Sequence, residues 1–188
     1  MNANQYAQQV IKELSTVLPS VHDREVEQLV DEIERASSVF VAGAGRSGLM
    51  AKAFAMRLLH MGRQVYVVGE TTTPNITDQD LLIVGSGSGA TESLVAIAQR
   101  AKNKFNARLA LVTIFPDSPI GQLADVKIRI AAPTPKTMSN QQVADSIQPM
   151  GSLFEQSLLL LLDIIVLCLM ERAGQSSSTM FTRHANLE

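Results

Sequence analysis

Five short apolar segments rich in β-branched residues, at 39–42, 64–68, 81–85, 109–113 and 126–130, recur along the chain. Stretches with helical spacing lie between them, notably at 49–61 and 90–105. Parallel strands cannot be joined by a tight turn and need a crossover. The alternation therefore predicts an α/β fold, a doubly wound parallel sheet with helices on both faces. At 188 residues and 46% hydrophobic, the chain suits one domain with a sizeable core. No repeat or low-complexity block interrupts the pattern.

Ahead of the sheet, residues 3–18 and 23–36 read as amphipathic helices with Pro19 at the break. After it comes a Pro-containing loop, 132–149, and then a long helix from about 152 to 173. Gly174 closes this helix at the position that favours a left-handed residue. The divisions are thus N-terminal helices over 1–37, a sheet core over 38–131, a long helix over 150–173 and a tail over 174–188, all in one domain. The apolar run 158–170 holds 13 residues, including Asp163, which is short for a bilayer span. It reads as a helix apolar on every side, which needs cover on every side, so the chain is expected to form a homo-oligomer.

Two glycine-rich turns carry the functional signal. The first, "GAGRSG" at 43–48, places glycines at 43, 45 and 48 in Gly-x-Gly-x-x-Gly spacing, and Glu70 follows about twenty residues later, as a dinucleotide fingerprint asks. The second, "GSGSGAT" at 85–91, carries three hydroxyls, Ser86, Ser88 and Thr91. Glycines let backbone amides approach an anion, a helix N-terminus favours negative charge, and hydroxyls add directed donors. A single phosphate needs such a cradle, whereas a pyrophosphate mainly needs bare glycines. Two loops at the carboxyl ends of strands 1 and 3 would converge at the switch point of a doubly wound sheet, which suits a small phosphorylated ligand.

"GAGRSG", "SGSGAT", "QPMGSLFEQ" opening the long helix and "MFTRHANLE" at the end together resemble the sugar isomerase (SIS) family, and within it the 6-phospho-3-hexuloisomerases. The resemblance covers essentially the whole chain. It implies a three-layer α/β/α sandwich on a five-stranded parallel sheet, flavodoxin-like in winding, assembled as a homotetramer of dimers. It also implies conversion of D-arabino-3-hexulose 6-phosphate to D-fructose 6-phosphate, in the ribulose monophosphate pathway of formaldehyde fixation. No cofactor and no metal are expected, and a hexulose-phosphate synthase is the expected functional neighbour. By the same resemblance, the phosphate loop falls on Ser86, Gly87, Ser88, Gly89, Ala90 and Thr91, and a substrate-touching serine on Ser47. The base falls on Glu155, and a histidine reaching a neighbouring subunit's site falls on His184. Many SIS loops carry an acidic residue where this one has Ala90; its absence removes a negative charge from beside the phosphate.

The chemistry asks for these residue types on its own account. Moving a ketone from C3 to C2 takes a proton from C2 and returns one to C3 through a cis-enediolate, work that one carboxylate on one face can do. The two oxygens must also exchange a proton, which suits a histidine near neutrality. With O6 phosphorylated, a 3-ketone has no hydroxyl placed to close a five- or six-membered ring, so the forward substrate is open-chain. His184 would then be a shuttle, or a ring-opening acid in the reverse direction.

Plainer readings stand beside these. Ser152 and Glu155 fit a Ser-x-x-Glu capping box, with Glu155 reaching back to a backbone amide. His184 lies where disorder is the default, with Phe181 and Leu187 as possible anchors. His22 reads as a cap or surface residue, and His60 as a cation at a helix C-terminus with no chemical role. Arg46 either approaches the phosphate or is solvated, and Cys168 reads as core. Glu70 grips a ribose in the dinucleotide reading and is a sugar-hydroxyl or structural acid in the other.

Net charge of −2 gives no electrostatic reason to expect a nucleic-acid or anionic-membrane partner. The N-terminus lacks the basic start and apolar middle of a signal peptide, so a cytoplasmic location is expected. Three function classes follow: an isomerase of sugar phosphates, a sugar-phosphate sensor, and a nicotinamide oxidoreductase. Within the first, arabinose 5-phosphate and sedoheptulose 7-phosphate are the alternative substrates. A sensor of this family usually carries a DNA-binding helix-turn-helix, for which the acidic segment ahead of strand 1 is unsuited. An oxidoreductase would need a second nucleotide-binding half.

Overall fold

In the computed structural model, residues 1–134 and 146–187 are described; positions 135–145 of the expected 132–149 loop lie outside them. Five strands, β1 (Val39–Gly43), β2 (Val65–Val67), β3 (Leu81–Gly85), β4 (Arg108–Thr113) and β5 (Val126–Arg129), form one sheet in the order β2-β1-β3-β4-β5, every pair parallel. The three central strands, β1, β3 and β4, are buried on both faces, which is why they read as continuous apolar runs, whereas at the edge β5 alternates, with Lys127 and Arg129 exposed. Chain direction across the sheet reverses between β1 and β3, so the loops leaving these two strands flank the crevice where α/β folds place ligands.

The faces are covered unequally. Val39, Val41, Leu81, Ile83 and Val112 point into a core built with α2 (Asp23–Arg35), α3 (Gly45–His60) and α5 (Ser152–Arg172). Phe40, Leu82, Val84, Leu109 and Leu111 point the other way, against α4 (Glu92–Phe105). The connection from β2 to β3 crosses this second face without a helix, so beside α4 the cover over Phe40 is loop residues such as Ile76. Helix α1 (Ala3–Val17), followed by a single 3-10 turn at Leu18–Ser20, packs against α5.

Helix α5 is 21 residues, not the 13 of its apolar run, and by length and composition alone it could cross a membrane. Polar residues at both ends continue the helix beyond that run, to within a residue of the expected 152–173. About half of its most apolar stretch is buried within the fold. Leu158, Ile165 and Leu169 are fully buried, while Leu160, Ile164 and Leu167 remain exposed. Leu49, Met56 and Leu59 on α3, which packs against α5, are exposed as well. Cys168 is partly buried against the main core.

The start of α5 is set from outside the sheet. Although burial works in the opposite sense, hydrogen bonds from Ser146, the Ile147 amide and Gln148 hold the Glu13 carboxyl on α1 below its ordinary range. Gln148 in turn accepts from Gln156, at 2.6 Å, on the first turns of α5. Gly174, at φ +59°, follows the helix as expected. A short helix, α6 (Ser177–Phe181), was not foreseen in the tail; a capping box of Ser176 and Thr179 starts it. The tail is anchored by buried Met180, and not by Phe181 or Leu187, which are 72% and 98% exposed.

Candidate active site

The first glycine turn folds by close contact. A Cβ on Gly48 would lie 2.6 Å from the Gly43 carbonyl oxygen, and one on Gly43 would lie 2.9 Å from the Gly48 backbone. Only bare glycines let α3 start this near the end of β1, and the helix therefore begins at Gly45 rather than at 49. Ser47 is thereby placed in the first turn, nearly buried, with no hydrogen-bond partner for its hydroxyl among the described residues.

The second turn is braced from three sides. The Gly87 carbonyl accepts from the Ile114 amide and the Thr113 hydroxyl, each at 3.1 Å. The Gly89 amide donates to the Ser86 hydroxyl, 3.1 Å, and Gly89 itself sits at φ +56° with Ser118 filling the space of a Cβ. Gly85 and Gly87 face Leu158 and Phe154, bringing the first turns of α5 against the loop. The Ser88 hydroxyl accepts from the Ala90 amide at 3.3 Å. Thr91 is the residue before α4, which begins at Glu92 and not at 90; its side chain makes no capping bond. Thr113 and Ser118, which shape this loop, escaped the sequence reading. Their signal is faint: hydroxyl residues at or just past the end of a neighbouring strand.

Three helices, α3, α4 and α5, start at this crevice, and none has a side-chain cap, whereas α1 and α6 each have a capping box. First turns without a side-chain cap, with their partial positive charge, suit an anion.

The capping-box reading of Ser152 and Glu155 fails in the structure. A turn through Pro149 and Met150, the latter at φ +55°, makes Gly151 the residue before the helix, and Ser152 is already helical. Glu155 is one position too far along to reach back to the first amides. It instead meets Arg46, whose Nε lies 3.1 Å from Oε2, while another guanidinium nitrogen donates to the Ser152 hydroxyl at 2.9 Å. The Glu155 side chain is 18% exposed and that of Arg46 53%. Arg46 is thus neither purely solvated nor, within the chain, turned to the phosphate loop. Glu70 pairs with Lys52 of α3, 3.3 Å apart, and both are about half exposed.

Ser47, the loop from Ser86 to Thr91 and Glu155 therefore gather at one end of the sheet, while His184 does not join them. Its ring stacks on His60 at 5.3 Å and on Phe181 at 5.6 Å. His60 ends α3, so this cluster lies about 20 Å from Ser47 along the helix. Arg183 reinforces it, donating to the His60 carbonyl at 3.4 Å and packing over Gly62. Burial, with the Arg57 guanidinium and then His184 beside it, pushes the His60 imidazole below its ordinary range, which corrects the picture of a cationic helix end. His22 precedes α2 without a side-chain cap. Among the described residues no His, Cys, Asp or Glu side chains cluster as metal ligands would.

A parallel α/β sheet with a hydroxyl-bearing glycine loop at its switch point is the architecture of a sugar isomerase domain, and the SIS domain family profile matches residues 32–160. The chain belongs to the SIS domain family. It is 49% identical, over the full length of both chains, to the 3-hexulose-6-phosphate isomerase of Bacillus subtilis. With a protein of the same name from Mycobacterium gastri it shares 43% identity, over 94% of this chain and 86% of that one. A crystal structure from Methanococcus jannaschii, from which a molecular function of 3-hexulose-6-phosphate isomerase was inferred, superposes with a TM-score of 0.83 at 33% identity, covering 98% of this chain and 99% of that one.

Proposed function

We propose that this chain is a cytoplasmic isomerase that interconverts D-arabino-3-hexulose 6-phosphate and D-fructose 6-phosphate, with Glu155 as the base. The observation that carries the reading is the placement of the Glu155 carboxylate: it is held off its own helix amides, at the N-terminus of α5, where Phe154 and Leu158 pack on the phosphate-type loop. Relatives of similar length that bear this activity in their names support the choice of sugar.

In this reading the loop from Ser86 to Thr91, with Gly87, Ser88, Gly89 and Ala90 between, and Ser47 from the first turn hold the phosphate and orient the open chain. Glu155 takes the proton from C2. The C2–H electron pair becomes the C2=C3 double bond, and the C3 carbonyl oxygen gains a proton. In the second half the O2 hydroxyl gives up its proton as C2 becomes the ketone, and Glu155 returns its proton to C3. No cofactor or metal enters the scheme. A positioned acid or base of this kind contributes about 10²–10⁴-fold in rate.

His184 belongs in this scheme only through a second subunit. Leu49, Met56 and Leu59 on α3, with Leu160, Ile164 and Leu167 on α5, form an exposed apolar strip. In this reading a two-fold axis crosses α3 at right angles through the strip, so that two α3 helices run antiparallel and the His184 end of each faces the crevice end of its partner. Repeated pairing of such dimers gives a tetramer.

The test is a coupled assay in which a hexulose-phosphate synthase, ribulose 5-phosphate and formaldehyde supply the 3-hexulose. Fructose 6-phosphate should form with the wild-type protein, and Glu155→Gln should lower kcat by about 10³-fold. Near-wild-type turnover by the variant would remove Glu155 from the mechanism. Absence of turnover by the wild type, with fructose 6-phosphate still bound, would favour a sensor or another sugar.

A further inference from the structure

The strongest feature at the crevice that the phosphate-and-base scheme leaves unused is the bridge made by Arg46. We propose that Arg46 is a positioning residue that locks the Glu155 carboxylate in its working orientation; the inference rests on the isomerase reading above. Three observations support it. The guanidinium touches Glu155 through Nε, at 3.1 Å, and Ser152 through a terminal nitrogen, at 2.9 Å, so two points of one planar group fix it against α5. Ser152 is almost fully buried and is the first helical residue, so this second contact is to a rigid part of the helix. Arg46 itself stands in the first turn of α3, whose path is dictated by the contact of Gly43 with Gly48.

The bridge thereby ties the two elements that must keep register during a proton transfer, the first glycine turn and the helix that carries the base. It engages Oε2, while Oε1 faces the side of Gly151, 3.5 Å from where a Cβ there would stand. One carboxylate oxygen is held and the other is left for the proton on C2. The choice of arginine follows. Lysine is a point donor on a flexible stem and holds one contact in place of two. With Arg46 gone, Glu155 would sample several rotamers at the mouth of the crevice, and a misplacement of about 1 Å costs on the order of 10² in rate.

The experiment measures kcat and KM for fructose 6-phosphate formation by wild type, Arg46→Ala, Arg46→Lys and Glu155→Gln, together with binding of fructose 6-phosphate by calorimetry. Arg46→Ala should lower kcat by about a hundredfold with KM changed less than about threefold. Added guanidinium, at a concentration too low to denature, should restore part of that kcat, and Arg46→Lys should fall between. A purely structural role would show no rescue by guanidinium. A rise in KM at constant kcat would make Arg46 a phosphate ligand. Either of these, or unchanged kinetics in Arg46→Ala while Glu155→Gln is inactive, overturns the inference and leaves the isomerase reading standing. A wild type that does not turn the sugar over, although it binds fructose 6-phosphate, overturns both.

Discussion

The two glycine-rich turns look alike as text and differ as structures. In the first, the missing side chains of Gly43 and Gly48 face one another, and the contact they permit seats α3 on the end of β1. In the second, Gly85 and Gly87 face the side chains of Leu158 and Phe154, Gly89 makes room for Ser118, and the hydroxyls of Ser88 and Thr91 lie along the rim. One turn uses its glycines to bring backbone against backbone; the other uses them to admit a second helix and shape a cradle. Spacing alone therefore does not name a ligand. The match of Gly43, Gly45 and Gly48 to a dinucleotide fingerprint reflects how a helix closes on a strand, and Glu70, the acidic residue in that fingerprint, is paired with Lys52.

The difference is sharpest where a side chain is forced between backbones. Gly48→Ala puts a Cβ 2.6 Å from a carbonyl oxygen that belongs to the sheet, with no flexible group to yield. Unfolding free energy should fall by about 2–4 kcal/mol, read from urea denaturation, with activity lost through displacement of Ser47 and Arg46. A variant as stable as wild type would mean that the first turn has slack and that its likeness to a ligand loop deserves more weight. On the second turn, Ser88→Ala removes a rim hydroxyl and no packing. KM should rise about tenfold, the size expected for one hydrogen bond to a charged group, with kcat within a few-fold and denaturation unchanged. A loss of stability instead would show the second turn to be built like the first.

Much of this could be read in advance, for identifiable reasons. The central strands β1, β3 and β4 were visible because parallel strands buried on both faces leave unbroken apolar runs, and the edge strands β2 and β5 because of their β-branched content; the observed ends of all five differ from the expected ones by a residue or so. The starts of α3 and α4 were not legible, since positive φ at Gly45 and Gly89 controls where each helix begins and composition does not show it. Ser152 and Glu155 show how a valid local signature is overridden: Met150 in a left-handed conformation moves the helix start by one residue, and the long-range contact with Arg46 takes the carboxylate. Sequence reasoning named Ser47, the hydroxyl loop and Glu155, and these lie at one end of the sheet. His184 lies at the other because the tail forms α6 and folds back on His60, a placement set by Met180 and Arg183 rather than by any periodicity.

Gly45 supplies the finest test of the comparison. It stands in the first turn with φ +55°, yet a Cβ there would meet nothing within 4 Å. Unlike Gly43 and Gly48, it is glycine for conformation and not for space. Gly45→Ala should therefore cost only the penalty of a left-handed alanine, about 1 kcal/mol, with kcat and KM close to wild type. The corresponding change at Gly89, also at positive φ, would add a collision with Ser118 and distort the cradle, so the gap between the two variants measures how much of a glycine's role is steric. Should Gly45→Ala instead raise KM strongly while leaving stability untouched, the open space beside Gly45 would be where substrate sits. The first turn would then be a ligand loop after all, and the division between the two turns would have to be redrawn around Gly45.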